Sequence, residues 1–224
     1  MNKYVTEFIG TFFLVLTIGL SVLAELPAAP LAIGASLMVM VYMGGHISGA
    51  HYNPAVSLAV WCRGKLPASE LAPYIVSQLL GAVAAAGVVW IVLGQSFAPA
   101  PASTASWMQA LVVEILYTFA LALVVLNVAT SPATEGNSFY GLAIGFTIAA
   151  AAFAGGPISG GAFNPAVGTG PIIIHATIGD GSRESWLNLW LYWVGPVLGG
   201  ALAAGVYRLQ HGDEPPESAL QRSE

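Results

Sequence analysis

Residues Ser48–Trp61 read SGAHYNPAVSLAVW, and residues Ser159–Ile172 read SGGAFNPAVGTGPI. Both stretches carry a Gly-rich polar segment, then Asn-Pro-Ala, then a short apolar run. Asparagine is favoured as a helix N-cap and proline as the first helical residue. Asn53-Pro54-Ala55 and Asn164-Pro165-Ala166 therefore predict two helix starts, with short helices over Val56–Trp61 and Val167–Ile174. A single such triplet would mark no more than a turn. Two copies in register with a repeat of the whole chain mark an architecture.

The repeat is legible well beyond the triplets. Asn53 and Asn164 are 111 residues apart, as are Leu31-Ala-Ile-Gly34 and Leu142-Ala-Ile-Gly145. Glu7 and Thr11 match Glu114 and Thr118 at an offset of 107, and Tyr74 precedes a Gly/Ala-rich run much as Tyr192 does. Only 8% of the 224 residues are charged and 56% are hydrophobic. Soluble domains carry about 25% charged residues, so this chain must have lipid as its solvent. The net charge of -5 without a basic stripe excludes nucleic acid as a partner. The one cysteine, Cys62, excludes an internal disulfide, and no catalytic constellation or metal set is present, so the chain reads as neither an enzyme nor a cofactor binder.

Four runs are long enough to cross a bilayer: Tyr4–Ala24, Leu71–Leu93, Trp107–Ala129 and Trp186–Tyr207. Two shorter ones, Leu31–Gly45 and Phe139–Ala154, stop at Gly pairs that predict bends at 44–45 and 155–156. Each half thus holds three spans and one half-length helix. Three is odd, so the second half enters the membrane from the opposite face, giving an inverted repeat whose broken segments point to a site near the midplane. The reading is an all-α membrane protein: a first repeat over residues 1–95, an external linker over 96–106, a second repeat over 107–209, and a disordered cytoplasmic tail over 210–224. With both termini cytoplasmic, Lys3, Arg63, Lys65, Arg208 and Arg222 lie inside and only Arg183 outside, as the positive-inside rule requires. The two half-helices then meet N-terminus to N-terminus, each carrying roughly half a positive charge, and repel cations.

Residues Gly45–Ala59, Ser159–Val167 and Tyr192–Ala204 (YWVGPVLGGALAA) resemble the aquaporin, or major intrinsic protein, family, and the resemblance runs from Glu7 to about Tyr207. It implies six tilted spans plus two re-entrant half-helices, one pore per subunit, and a homotetramer in the lipid bilayer. It implies that Asn53 and Asn164 are the central donors. The carbonyls of Gly49, Ala50 and His51, and of Gly160, Gly161 and Ala162, would form a hydrogen-bonding ladder. Glu7 and Glu114 would be buried acids accepting from the loops. The family's four-residue outer constriction falls on Ile33, Ala152, Gly161 and Val167.

Water-selective members usually carry Arg and His at that constriction. Here Val167 and Ala152 stand in those places, and the second motif is similar to that of tonoplast intrinsic proteins. Gly168, and Tyr192-Trp193 in the last helix, favour the aquaporin side over the glycerol facilitators. Losing Arg removes donors, bulk and a full positive charge. The expected function is a passive channel for water and small neutral solutes such as ammonia, urea and hydrogen peroxide. A glycerol-type facilitator or a gated, closed pore is the alternative, since apolar constrictions can close by dewetting. A bacterial inner membrane is the expected location. His46 and His51 read as loop histidines and His175 as a vestibule residue. Gly179–Ser185 reads as a solvated external loop.

Overall fold

The computed structural model describes residues 1–179 and 181–212. Asp180 of the external loop, Arg222, and the expected tail beyond Gly212 lie outside the described residues. The described chain forms eight α-helices and no strand: α1 (Asn2–Leu23), α2 (Ala29–Ser48), α3 (Pro54–Cys62), α4 (Ala68–Leu93), α5 (Trp107–Ala129), α6 (Tyr140–Ser159), α7 (Pro165–Thr177) and α8 (Leu189–His211). A 3-10 turn (Arg183–Asn188) leads into α8. Six of these elements are long and apolar enough to cross a membrane; α3 and α7 are the two short ones.

Helices are the form such segments must take, because lipid offers no partner for a backbone N–H or C=O. Large apolar side chains face outward, among them Ile9, Phe13, Leu80, Ile91, Leu116, Phe146 and Leu202. The interior is built largely of small residues, with Ala82, Ala85, Ala110, Ala122, Ala151 and Ala203 all sealed. Small residues let helix backbones approach where no hydrophobic effect drives them together.

One close and reciprocal approach lies between α2 and α6, at the very tetrapeptide that marked the repeat. A Cβ on Gly34 would stand 2.5 Å from the Gly145 carbonyl oxygen, and one on Gly145 would stand 2.5 Å from that of Gly34. α1 packs on α2 and α4, and α5 packs correspondingly on α6 and α8. The half-helices cross over: α3 lies chiefly against α8, and α7 chiefly against α4.

Several expected boundaries move. α2 and α6 do not end at their Gly pairs; each runs 20 residues and stops at a left-handed glycine, Gly49 (φ 83°) or Gly160 (φ 88°). Gly44, Gly45 and Gly155 serve packing instead of bending. A Cβ on Gly44 would meet the Tyr52 hydroxyl at 1.9 Å, and one on Gly155 would meet the Phe163 ring at 2.9 Å. Asn53 and Asn164 cap the half-helices and Pro54 and Pro165 open them, as expected, while their C-terminal ends run past Trp61 and Ile174 to Cys62 and Thr177. α8 begins at Leu189 and continues through His211, beyond the expected start of the tail. His211 stacks on Tyr207 at 4.2 Å and bonds Asn127 Oδ1 at 2.8 Å, which holds that last turn.

The α2–α6 crossing yields a test. Gly145→Ala should lower stability by about 1–3 kcal/mol, because backbone faces the new methyl and cannot rotate away. A thermal melt of the purified protein in detergent should show the drop; an unchanged melting temperature would mean that the helices can part at no cost.

Candidate functional site

Two buried carboxylates organise the site from behind. Glu7, on α1, receives four donors. Oε1 accepts from Ser48 Oγ (2.7 Å) and His51 N (3.0 Å), and Oε2 accepts from Tyr52 N (2.7 Å) and Gln78 Nε2 (2.8 Å). Glu114, on α5, does the matching work. Oε1 accepts from Ser159 Oγ (2.7 Å) and Ala162 N (3.1 Å), and Oε2 accepts from Phe163 N (2.7 Å). Both carboxylates are fully buried, a position a charge tolerates only when donors surround it. Tyr74 and Tyr192 fix the loop entrances by donating to the carbonyls of Ser48 (2.7 Å) and Ser159 (2.6 Å).

The loops these acids hold are strained. Ala50, Tyr52 and Phe163 have φ of 53°, 51° and 50°. For residues other than glycine such conformations cost on the order of 1–3 kcal/mol each. The strain turns the two ends of one residue in useful directions. The N–H of Tyr52 reaches Glu7, and its carbonyl accepts from Asn164 Nδ2 at 2.8 Å. The N–H of Phe163 reaches Glu114, and its carbonyl accepts from Asn53 Nδ2 at 2.9 Å. Asn53 and Asn164 also cap their own helices, accepting from Ala55 N and Ala166 N at 2.9 Å each. Each asparagine amide therefore spends one hydrogen on the opposite loop and keeps one free.

A cavity of about 480 Å³ runs past this crossing. Of the residues singled out from sequence, Asn53, Asn164, Ile33, Ala152, Gly161, Val167, Ala50, His51, Gly160 and Ala162 all line it. Gly49 is exposed and does not line it, while Pro54, Ala55, Pro165 and Ala166 are buried behind the wall. Leu37, Leu121, Val125, Ile144 and Ile148 contribute to the lining as apolar side chains. Residues of both Gly-rich loops and the two asparagines thus line the passage together with apolar side chains. Among the described residues, no charged side chain lines it.

Sequence reasoning missed some contributors. Ser48 and Ser159 stand 111 apart at the head of the two quoted stretches, so the repeat could have flagged them. Gln78 and Ser57 have no equivalent in the second half and gave no such signal. Phe97–Ala100, read only as linker, folds back to wall one end of the cavity. Ser96 Oγ, 2.8 Å from His175 Nδ1, ties that linker to α7.

The profile of the family described as Major intrinsic protein matches residues 1–207. The chain belongs to that family. It is 37% identical over 219 residues to Aquaporin NIP1-1 of Zea mays, spanning 93% of this chain and 74% of that protein. It is 33% identical over 235 residues to Nodulin-26 of Glycine max, spanning 100% and 83%. It is 34% identical over 230 residues to Aquaporin Z of Rhodopseudomonas palustris, spanning 93% and 92%. Among solved structures, the aquaglyceroporin from Plasmodium falciparum superposes with a TM-score of 0.81 at 22% identity, over 92% of this chain and 94% of that one, and shares the fold. The protein is accordingly a multi-pass integral membrane protein of a channel family and not an enzyme. These relatives are of NIP and Z types.

The carboxylate cages predict a graded cost. Replacing Glu7 by Gln puts an amide donor among N–H donors and should destabilise the protein by about 1.5–3 kcal/mol, with Glu114→Gln, which disturbs fewer bonds, costing less. Melting curves of the two variants in detergent test the order; equal and negligible effects would mean that the acids do not hold the loops.

Proposed function

We propose that this major intrinsic protein is a passive channel for water and for small neutral solutes, with ammonia, urea and hydrogen peroxide as candidates. The observation that carries the reading is the crossing of Asn53 and Asn164 through the opposite loops, with one amide hydrogen of each left for a passing molecule. Ile33, Ala152, Gly161 and Val167 are read as the neck, with no charge and no side-chain donor. Water can pass it in company with its own neighbours, and a larger neutral molecule meets no guanidinium. Ions are excluded by the two helix N-termini and by desolvation, which costs several kcal/mol per ion even after relaxation.

Residues 1–95 and 107–209 are read as two inverted repeats joined by the 96–106 linker. Matched carboxylate cages and the Gly34/Gly145 contact support that reading. A homotetramer with both termini cytoplasmic is proposed from family membership and from the Lys/Arg distribution. Likeness to the R. palustris aquaporin over nearly its full length supports a bacterial inner membrane.

Stopped-flow light scattering of proteoliposomes tests the function. Osmotic water flux and urea flux should both exceed those of empty liposomes. Val167→Arg should lower urea flux more than water flux, because the guanidinium narrows the neck and adds donors that water uses readily. Absence of both fluxes in folded protein would contradict the channel, and undiminished urea flux in Val167→Arg would contradict the role of the neck.

A further inference from the structure

The C-terminal end of half-helix α3 is fastened to α8 by cations. The Cys62 carbonyl accepts from Arg208 Nη2. The Arg63 guanidinium lies over the Tyr207 ring, 4.7 Å from its centroid, and its Nη2 donates to the Tyr207 hydroxyl at 3.4 Å. Lys65 N turns back to the Val60 carbonyl at 3.0 Å, which keeps Lys65 beside this end of the helix. The repeat offset of 111 places Ile174 and Ala176 opposite Arg63 and Lys65. The fold therefore does not require cations there, because α7 is built with apolar residues in their places.

Three permanent positive charges, Arg63, Lys65 and Arg208, thus gather where α3 and α8 end. Cations suit a helix C-terminus, but three together repel one another over a screening length of about 8–10 Å. Glu70, the acid closest to Lys65 along the chain, is taken up by Lys3 Nζ (2.7 Å) and the Tyr4 hydroxyl (2.8 Å). Another source of negative charge begins where α8 stops. His211 stacks on Tyr207 and bonds Asn127, so the last turn of α8 ends at the cluster itself. Gly212 closes the helix with φ 67°, its N–H on the Arg208 carbonyl at 2.9 Å. The sequence then continues past the described residues as Asp213-Glu214-Pro215-Pro216-Glu217, three acids in five residues. Five residues reach at most about 18 Å, so none of these acids can stray far from the cations. The tether gives them an effective concentration on the order of millimolar, and the two prolines restrict the segment, which lowers the entropy lost on docking.

We propose that Asp213, Glu214 and Glu217 fold back onto Arg63, Lys65 and Arg208, and that this acidic strap fastens half-helix α3 to the last span. The surface is the cation cluster at the ends of α3 and α8, and its partner is the segment of the same chain that follows Gly212. The inference is independent of what the passage conducts. It explains why the cations collect on α3, whose end lies beside the last turn of α8. A single exposed ion pair contributes little, whereas several charges held together act as a network. The strap also joins the end of the chain to the pore. α3 runs from its cap Asn53 to Arg63, so a pull or a release at the strapped end acts on a nine-residue helix with the pore asparagine at its other end.

Two measurements on the full-length protein in neutral phosphatidylcholine bilayers test this. The chain has two lysines, Lys3 and Lys65, so carbodiimide coupling, which joins a carboxylate directly to an amine it touches, gives few products. Mass spectrometry of the monomer band should find Lys65 joined to Asp213, Glu214 or Glu217 at low salt, and about 1 M salt should suppress that product. The Lys3–Glu70 pair is the internal control. In the second measurement, the triple variant Asp213→Asn, Glu214→Gln, Glu217→Gln, which alters nothing within the eight helices, should melt about 2–4 °C below wild type at low salt, and the gap should close at high salt. A Lys3–Glu70 product without any Lys65–strap product overturns the proposal. So does an equal melting temperature of the two proteins at low salt. Adding phosphatidylglycerol brings in the competing occupant, a lipid phosphate. The neutralised variant should then gain more stability than the wild type, whose cluster is already covered. An equal gain in both would mean that the cluster serves lipid phosphates, and would overturn the strap.

Discussion

Two residues in left-handed conformation, Tyr52 and Phe163, hold the pore together. Each gives its N–H to a buried carboxylate on its own side and its carbonyl to the asparagine of the other side. The half-helices start where they do because Asn53 and Asn164 cap them, and the asparagines sit where they do because the opposite loops hold their amides. Removing either carboxylate would leave a strained aromatic residue and a set of inward N–H groups without partners. That dependence explains why acids otherwise expensive in a membrane interior occur at matching places. Strain of on the order of 1–3 kcal/mol per residue is set against charge-assisted bonds worth about 1.5–3 kcal/mol each.

The rest of the architecture supplies room for this link. Glycines on α2 and α6 give way to the Tyr52 and Phe163 rings, and the Gly34/Gly145 contact brings the two halves close enough for the crossed bonds to form. Because the lining combines loop residues and two asparagine amides with apolar side chains, a molecule in the passage meets few hydrogen-bonding groups. Such a lining suits neutral molecules able to accept and donate. It offers nothing to replace the full hydration shell of an ion.

Much of this was legible in the sequence. The six spans, both half-helices and the paired acids follow from apolar run length, from the NPA triplets and from a repeat that survives at Glu7/Glu114 and Leu31-Ala-Ile-Gly34/Leu142-Ala-Ile-Gly145. The misplaced ends of α2 and α6 share a cause. A Gly pair in an apolar run reads locally as a break, whereas Gly44 and Gly155 answer to ring contacts made by residues eight positions further on. Local reading likewise could not see that Phe97–Ala100 returns to the cavity, since nothing in an Ala/Pro/Ser-rich stretch reports where it folds. Gln78 and Ser57 stayed hidden because their partner lies across the helix packing and not along the chain, and the repeat offers no second copy to draw the eye.

The central claim is that the interlocked loops make a path for neutral molecules that ions, protons included, cannot follow. The most direct test loads proteoliposomes with a pH-sensitive dye and records water permeability and proton entry in the same preparation. The account predicts water flux well above that of empty liposomes, with proton entry no faster than theirs. Rapid acidification of the lumen through a protein that conducts water would show that the crossed asparagines and the paired helix termini do not guard the path, and would contradict it.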